Sequence, residues 1–399
     1  MMSVSESLQA ILDRAQPLEA TPVPLASALG RVLRENARAD IDSPPFDASA
    51  MDGYALRRAD AGSPLKIIGT AAAGAAFDRE LGTGECVRIF TGAPIPAGAD
   101  CVAKQEDVTR PGDTIRTNWP GGPNFIRRRG ENRRAGHVVV PAGTRLGAPE
   151  LAALACIGAV EVPVARQARC VHVVTGDELV SPDRTPTGAQ IRDTNSSLIR
   201  ALLAQHDGEF VGHAHVRDDL AAACRTVEAL PAHDVLLISG GAGTGERDVS
   251  RPLLESLGYT LHFQAVNLRP GKPLVFATRG TRLAFVLPGN PVSHWVVFQL
   301  FIAPLLSFLQ TGARTTPPLL AGNLALYSKL PPPDPRPTFW PCRAVIVNGV
   351  HQLTPLSIAS SGDSAGLVGA NALLSVPPTS PDSSSGLLPG SAAQFILCS

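Results

Sequence analysis

The sequence predicts a multidomain protein built around a doubly wound, largely parallel α/β domain, with a small β-rich domain before it and a small all-β domain after it. Three observations lead there. The chain has 399 residues, 44% of them hydrophobic, enough for two to four cores at roughly 100–200 residues per domain. Between Arg166 and Gly312, apolar runs of strand length alternate with stretches of helical spacing, as in successive βαβ units. On either side, short apolar runs are broken by Gly and Pro, the texture of small β domains.

Taken in order, Leu8, Ile11, Leu12 and Ala15 follow helical spacing, and so do Leu25, Ala28, Leu29, Val32 and Leu33. From Asp42 to Gly136, Leu65–Ile68, Val87–Phe90 and Cys101–Ala103 read as strands. Leu151–Ile157 reads as a helix and Val160–Val164 as a strand leading out. Within the α/β region, Cys170–Val174 is a strand ending in Thr175-Gly176-Asp177-Glu178. Asp193-Thr194-Asn195 caps a helix with Leu198, Ile199, Leu202 and Leu203 on one face. A strand at Glu209–His215, a helix at Asp219–Leu230 and a buried strand at Asp234–Ile238 follow. Next come a glycine loop at Ser239–Gly245, a helix around Arg251–Leu257, strands at Leu274–Phe276 and Leu283–Leu287, and a helix at Ser293–Leu309. Pro331-Pro332-Pro333-Asp334-Pro335 marks a boundary or an extended linker. Beyond it, Ala344–Val347 and Val350–Leu353 flank Asn348-Gly349, a hairpin with a tight primed turn. Leu373–Val376 and Gln394–Leu397 add strands, and Pro377–Gly390 reads as a loop.

Acidic and basic residues are equal at 35 each, which disfavours a general nucleic-acid or membrane-surface binder. Trp295–Leu309 is apolar but short of a bilayer span. Met1–Arg14 carries Glu6 and Asp13 and lacks an apolar signal core, so a cytoplasmic location is expected. Cys86, Cys101, Cys156, Cys170, Cys224, Cys342 and Cys398 are scattered and odd in number, which suits buried reduced thiols better than disulfides or zinc. His213 and His215 share a strand face without a nearby third ligand, so a solvated strand is the better reading.

Two patches fit neither helix nor strand. One is Pro44–Ala55, presenting Asp47, Ser49 and Asp52; the other joins Arg269-Pro270-Gly271-Lys272-Pro273 to Leu287-Pro288-Gly289-Asn290-Pro291-Val292-Ser293. Arg269 and Lys272 on a Pro-stiffened loop make a poor core and a good clamp for a tetrahedral anion. Ser293 either caps the helix after Pro291 or offers its hydroxyl and nearby N–H groups to an anion. The loop Gly240-Gly241-Ala242-Gly243-Thr244-Gly245 lets backbone N–H groups approach a phosphate, and Asp248 beyond it is either a helix cap or a ligand for a divalent cation. Glu178 and Asp177 close a strand, as capping acids or as acceptors at the switch point. Thr91, in Phe90–Asp100 before Gln105-Glu106, is by default a turn residue. No Ser/His/Asp or Cys/His arrangement has local support, so covalent hydrolase chemistry is unsupported.

These motifs, in this order, resemble the molybdopterin molybdenumtransferase family, of the bacterial MoeA and gephyrin E-domain type. The matches are Ser49–Ala55, Phe90–Asp100 with Gln105-Glu106, Gly130-Glu131, Thr175–Leu179, Asp193–Asn195, Ser239–Gly241, Pro270–Pro273, Leu287–Ser293, and Ser361-Gly362-Asp363 with Ala370-Asn371. The resemblance implies bridging segments at 1–41 and 137–165, an inserted β-rich domain at 42–136, a doubly wound molybdopterin-binding domain at 166–315, and a β-barrel-like domain at 316–399. It implies a homodimer that takes adenylylated molybdopterin from an adenylylating enzyme, inserts molybdenum from molybdate, releases AMP and supplies cofactor-receiving apo-enzymes. It implies Mg2+ held by Asp52 and Asp248. The implied catalytic positions are Asp52, Thr91, Glu178, Asp248 and Lys272. Asp193, Asn195, Asp218, Gly240, Gly241, Pro288 and Pro291 fall at substrate-binding positions. Arg269, Lys272, Ser293, Arg336 and Ser361 fall at molybdate positions. In the implied dimer, Asp52 and Thr91 face the α/β domain of the other subunit.

Four positions depart from the family pattern. Asn132 stands where many relatives have Asp, Ala265 where some have Lys, Thr338 where an acid is frequent, and Ala242–Thr244 where Val-Ser-Val is usual. Losing Asp and Lys together removes one charge of each sign. A non-catalytic molybdopterin-binding or scaffolding paralogue is the alternative these changes favour, and an adenylate-processing enzyme is a second, suggested by Gly240–Asp248.

Overall fold

The computed structural model describes residues 1–117, 122–217, 219–241, 250–327, 329–379 and 387–398. The chain forms two compact units, Met1–Thr21 with Ala165–Ser399, and Pro22–Val164.

The first unit holds a six-stranded sheet. Its order is Gly208–Val216, Ala168–Thr175, Val235–Ser239, Arg282–Leu287, Val275–Arg279 and Thr260–Phe263. The first four strands run parallel; the last two are antiparallel additions at one edge. Val235–Ser239 is buried along its whole length, as expected of a strand covered on both faces. Two hydrophobic clusters pack on opposite faces. One includes Ile199, Leu203, Phe276, Phe285 and Phe301, the other Val171, Val227, Leu253 and Ile238. The N-terminal helix Val4–Leu12 joins the first cluster through Leu8, Ile11 and Leu12. Ser3 and Glu6 close a reciprocal capping box at its start.

The apolar helix begins earlier than its sequence pattern suggests, at Pro291, and runs to Thr311. It is long and apolar enough to cross a membrane by composition, yet 94% of its apolar window is buried inside the unit. Its ladder widens into a π-helical stretch at Phe298–Ile302, directly before Pro304, which has no N–H to donate. Asn290 occupies the cap position and Pro291 the first turn. Ser293 is therefore inside the helix and does not cap it.

The C-terminal strands close into a barrel in the order Leu320–Leu324, Val350–Pro355, Thr338–Val347, Ala372–Val376 and Ala392–Leu397. Asn348 and Gly349 take φ of 51° and 79°, both left-handed as a type I′ turn requires. Half of Pro377–Gly390, residues 380–386, lies outside the described residues.

The second unit contains another six-stranded sheet, ordered Cys101–Lys104, Gly53–Leu56, Glu85–Ile89, Leu65–Ala71, Thr114–Thr117 and Val108–Thr109. A separate cluster joins Ala28, Leu33, Leu146, Leu154 and Val164, around the helix Ala148–Cys156. Leu25–Leu33 is not the helix its spacing suggests. It forms one 3-10 turn at Leu25–Ser27, then extends. Gly30 at φ 77° breaks any ladder, and Leu29 is exposed while Ala28, Val32 and Leu33 are buried. Apolar spacing reported burial there without reporting conformation.

The cysteines are all free. Cys86, Cys101, Cys170 and Cys342 are buried, but Cys156 is exposed. Burial pushes the Cys86, Cys101 and Cys342 thiols up to about 12, so they stay protonated and unsuited to metal ligation at neutral pH.

Candidate functional site

A cavity of about 570 Å3 opens in the first unit, beyond the carboxyl ends of the parallel strands. Arg269, Lys272, Ser293, Arg336 and Ser361 all line it, together with Gly241 and Pro288. Five residues from four separate stretches of sequence thus line one space.

The backbone explains how each arrives. Arg269 joins the edge of the barrel: its N–H donates to Pro337 O at 2.9 Å, and its carbonyl accepts from Phe339 N at 2.8 Å. Gly271, at φ 112°, carries the chain over the apolar helix. A Cβ there would sit 2.6 Å from Val297 Cγ2, so only glycine permits this approach. Lys272 follows, exposed, with its carbonyl accepting from Val266 N at 3.0 Å. The opposite wall is the strand-to-helix turn Pro288–Ser293. Asn195 Nδ2 donates to Gly289 O at 2.7 Å, tying this turn to the Asn195–Gln205 helix. Ser361 O accepts from Val292 N at 3.0 Å, and Ser361 Oγ accepts from Asn290 Nδ2 at 2.7 Å. Ser361 is thereby fixed to the same turn.

Cations dominate the cavity. Arg269, Lys272 and Arg336 supply three positive charges, and the amino-terminal turn of the helix from Pro291 adds its dipole. A residue unmarked by the sequence reading stands behind the arginines. Asp334 accepts from Arg336 Nε at 2.8 Å and Nη2 at 2.9 Å, and lies 3.5 Å from Arg269 Nη1. Arg336 holds the Asp334 carboxyl below its ordinary range. The Pro331–Pro335 run is therefore part of the site's frame, and Arg269 Nη1 also donates to Pro332 O at 2.7 Å. Its sequence signal was an acid inside a proline run two residues before an arginine.

Not every predicted residue converges here. Glu178 is exposed at the end of the Ala168–Thr175 strand, its carboxylate folded back over Gly176, and it does not line the cavity. Asp193 lines a smaller pocket of about 190 Å3 with Ser196, His213 and His215. Ser196 Oγ is a hub there: it donates to Asp193, lies 2.8 Å from His213 Nε2 and 3.3 Å from His172 Nδ1. His172 Nε2 meets Ser239 Oγ at 2.6 Å, at the start of the glycine loop. Burial holds His172 well below its ordinary pKa and drives His294 down to about 4, so both imidazoles are neutral. His213 was marked only with His215 on a strand face; its link to His172 was missed because Ser196, which joins the two, is distant in sequence from both. Gly240 is adjacent to the cavity-lining Gly241, with Gly289 close to its Cα, and Pro291 is buried in the first turn of its helix. Asp218 and Asp248 lie outside the described residues, as does the Ala242–Thr244 departure.

The remaining candidates belong to the second unit. Asp52 Oδ1 accepts from Thr91 N at 2.8 Å and from Thr91 Oγ1 at 2.7 Å. These two bonds, backbone first, hold the Asp52 carboxyl below its usual value, so it is an anion at neutral pH. The next residue, Gly53, opens a strand that lies close against Cys101–Lys104, where a Cβ would fall 2.0 Å from Ala103 O. Asp47 is engaged otherwise, accepting from Arg129 N at 2.8 Å and paired with Arg128. Ser49 is buried and donates to Met51 O at 2.6 Å. Asn132 Oδ1 accepts from Arg127 Nη2, a contact that an aspartate would also make. Among the described residues, no group of three or more His, Cys, Asp or Glu side chains is arranged to hold a metal.

Residues 2–158 match the family model described as MoeA N-terminal region (domain I and II). Residues 172–307 match the probable molybdopterin binding domain. Over the whole chain the fold is that of two crystal structures of the molybdopterin biosynthesis MoeA protein from Pyrococcus horikoshii. They superpose with TM-scores of 0.85 and 0.80 at 28% and 29% identity, the first covering 100% of this chain and 99% of its own. Fold and site together define a MoeA-type protein. A molybdopterin molybdenumtransferase from a Nostoc species is 34% identical over 381 residues, covering 92% of this chain and 86% of the relative. One from Haemophilus influenzae is 36% identical over 309 residues, 74% of this chain and 76% of its own length. The chain belongs to the molybdopterin molybdenumtransferase family, a family of enzymes in molybdenum cofactor biosynthesis.

Proposed function

We propose that this protein inserts molybdenum from molybdate into adenylylated molybdopterin and releases AMP. The observation that carries the reading is the cationic cavity in which Arg269, Lys272, Arg336, Ser293 and Ser361 meet. Molybdate is a tetrahedral dianion, and guanidinium, ammonium, hydroxyl and helix N–H donors are the groups that match it. The dithiolene sulfurs come with the substrate, so buried protonated cysteines are no obstacle. Asn195 and Gly241, beside the same wall, suit the organic substrate. Asp52 is a charged oxygen donor of the kind Mg2+ takes, and Mg2+ usually needs only one or two carboxylates alongside substrate phosphates. Asp52 and Asp248 would hold it, and the ion would offset phosphate charge during anhydride cleavage. In this reading Asp52 and Thr91 act in a homodimer, facing the α/β region of the second copy.

The test uses purified protein, adenylylated molybdopterin and molybdate. AMP release that depends on molybdate and is lost in Lys272→Ala supports the proposal. Equal release from wild type and Lys272→Ala removes it.

A further inference from the structure

The guanidinium fork of Arg336 is already occupied. Nε and Nη2, the edge that grips an oxyanion with two parallel bonds, both donate to Asp334, at 2.8 and 2.9 Å. The Arg336 backbone N–H adds a third bond to the same carboxylate at 2.9 Å. Arg336 Nη1 meets Leu268 O at 3.3 Å, and Arg269 Nη1 is drawn to Pro332 O and to Asp334. Asp334 itself is anchored, its N–H donating to Thr379 Oγ1 at 3.1 Å, and it stands outside the cavity lining.

We propose that Asp334 is an internal carboxylate that competes with the oxyanion for Arg336 and Arg269, and so sets both the affinity and the selectivity of the cavity. It reduces the wall from three positive charges to two, the charge of a tetrahedral dianion. Like charges repel, so its carboxylate also weakens any anion bound beside the arginines. Both effects have the same sign: removing the charge frees the fork and removes the repulsion. A purely structural aspartate would act oppositely, since its loss would leave the arginines unfixed and weaken binding. The inference rests on the molybdate reading of this cavity.

Equilibrium dialysis of molybdate alone against the full-length protein separates the cases, with sulfate and phosphate as competitors. Asp334→Asn is expected to bind molybdate about tenfold more tightly, the gain from one added charge-assisted hydrogen bond, and to be displaced more readily by sulfate and phosphate. Asp334→Ser removes the same charge and guards against a folding defect in one variant. Affinity unchanged or weakened in both overturns the inference. If wild-type binding is saturable and lost in Lys272→Ala, that result leaves the molybdate reading standing; if wild-type binding is absent, the reading and the inference fall together.

Discussion

Substituting Gly271 by alanine tests how the cation-bearing loop is fixed. The added Cβ would lie 2.6 Å from Val297 Cγ2 and 3.2 Å from Leu268 Cδ2. Both neighbours are fully buried, so neither can turn into solvent to make room. Forcing a methyl group into a packed core costs about 1–3 kcal/mol, and a non-glycine residue at φ 112° adds about 1–3 kcal/mol of backbone strain. The sum is about 2–6 kcal/mol. Differential scanning calorimetry should show the transition of the first unit lowered by at least about 4 °C, taking about 2 °C per kcal/mol for a unit of this size. Molybdate binding should weaken as well, because Lys272 is the next residue. A shift below about 1 °C with unchanged molybdate affinity would mean that the loop is not pinned to the helix by this contact.

Other consequences are as direct. Asp234 accepts from Arg166 at 2.6 and 2.9 Å and from Arg169 N at 2.8 Å. Burial opposes its charge, but these partners hold the carboxyl below its ordinary value. Its contribution is therefore present above the unfolded carboxyl pKa of about 3.9 and lost as pH falls through the lower folded value. Asp234→Asn should cost about 2–4 kcal/mol at pH 7 in urea unfolding, and the gap from wild type should shrink below about pH 4; a constant gap would contradict the assignment. Thr91→Val keeps the backbone bond to Asp52 but deletes the hydroxyl bond. It should slow AMP release about tenfold without changing thermal unfolding, and an unchanged rate would leave Thr91 a turn residue.

Legibility in the sequence followed the physics of each signal. The parallel strands were readable because burial on both faces leaves continuous apolar runs such as Val235–Ser239. The hairpin at Asn348-Gly349 was readable because few residues tolerate two successive positive φ values. Leu25–Leu33 misled because alternating contact with a core can mimic helical spacing while proline and glycine dictate the backbone. The cavity residues were picked out singly as charges on stiff loops. Their meeting depends on long-range register, such as Arg269 lying along the barrel strand that begins at Thr338, which no local pattern encodes. The network around His172 stayed hidden for a related reason: a buried imidazole declares itself only through partners distant in sequence. Asp334 was different, since its partner Arg336 is two residues on, and the proline run drew the reading to a linker instead.

The most direct measurement is anomalous scattering at the molybdenum edge from crystals soaked in molybdate and AMP. The account predicts one peak in the cavity, within hydrogen-bonding reach of Arg269, Lys272 and Ser293. A peak elsewhere on the protein, with this cavity empty at saturating molybdate, would contradict it.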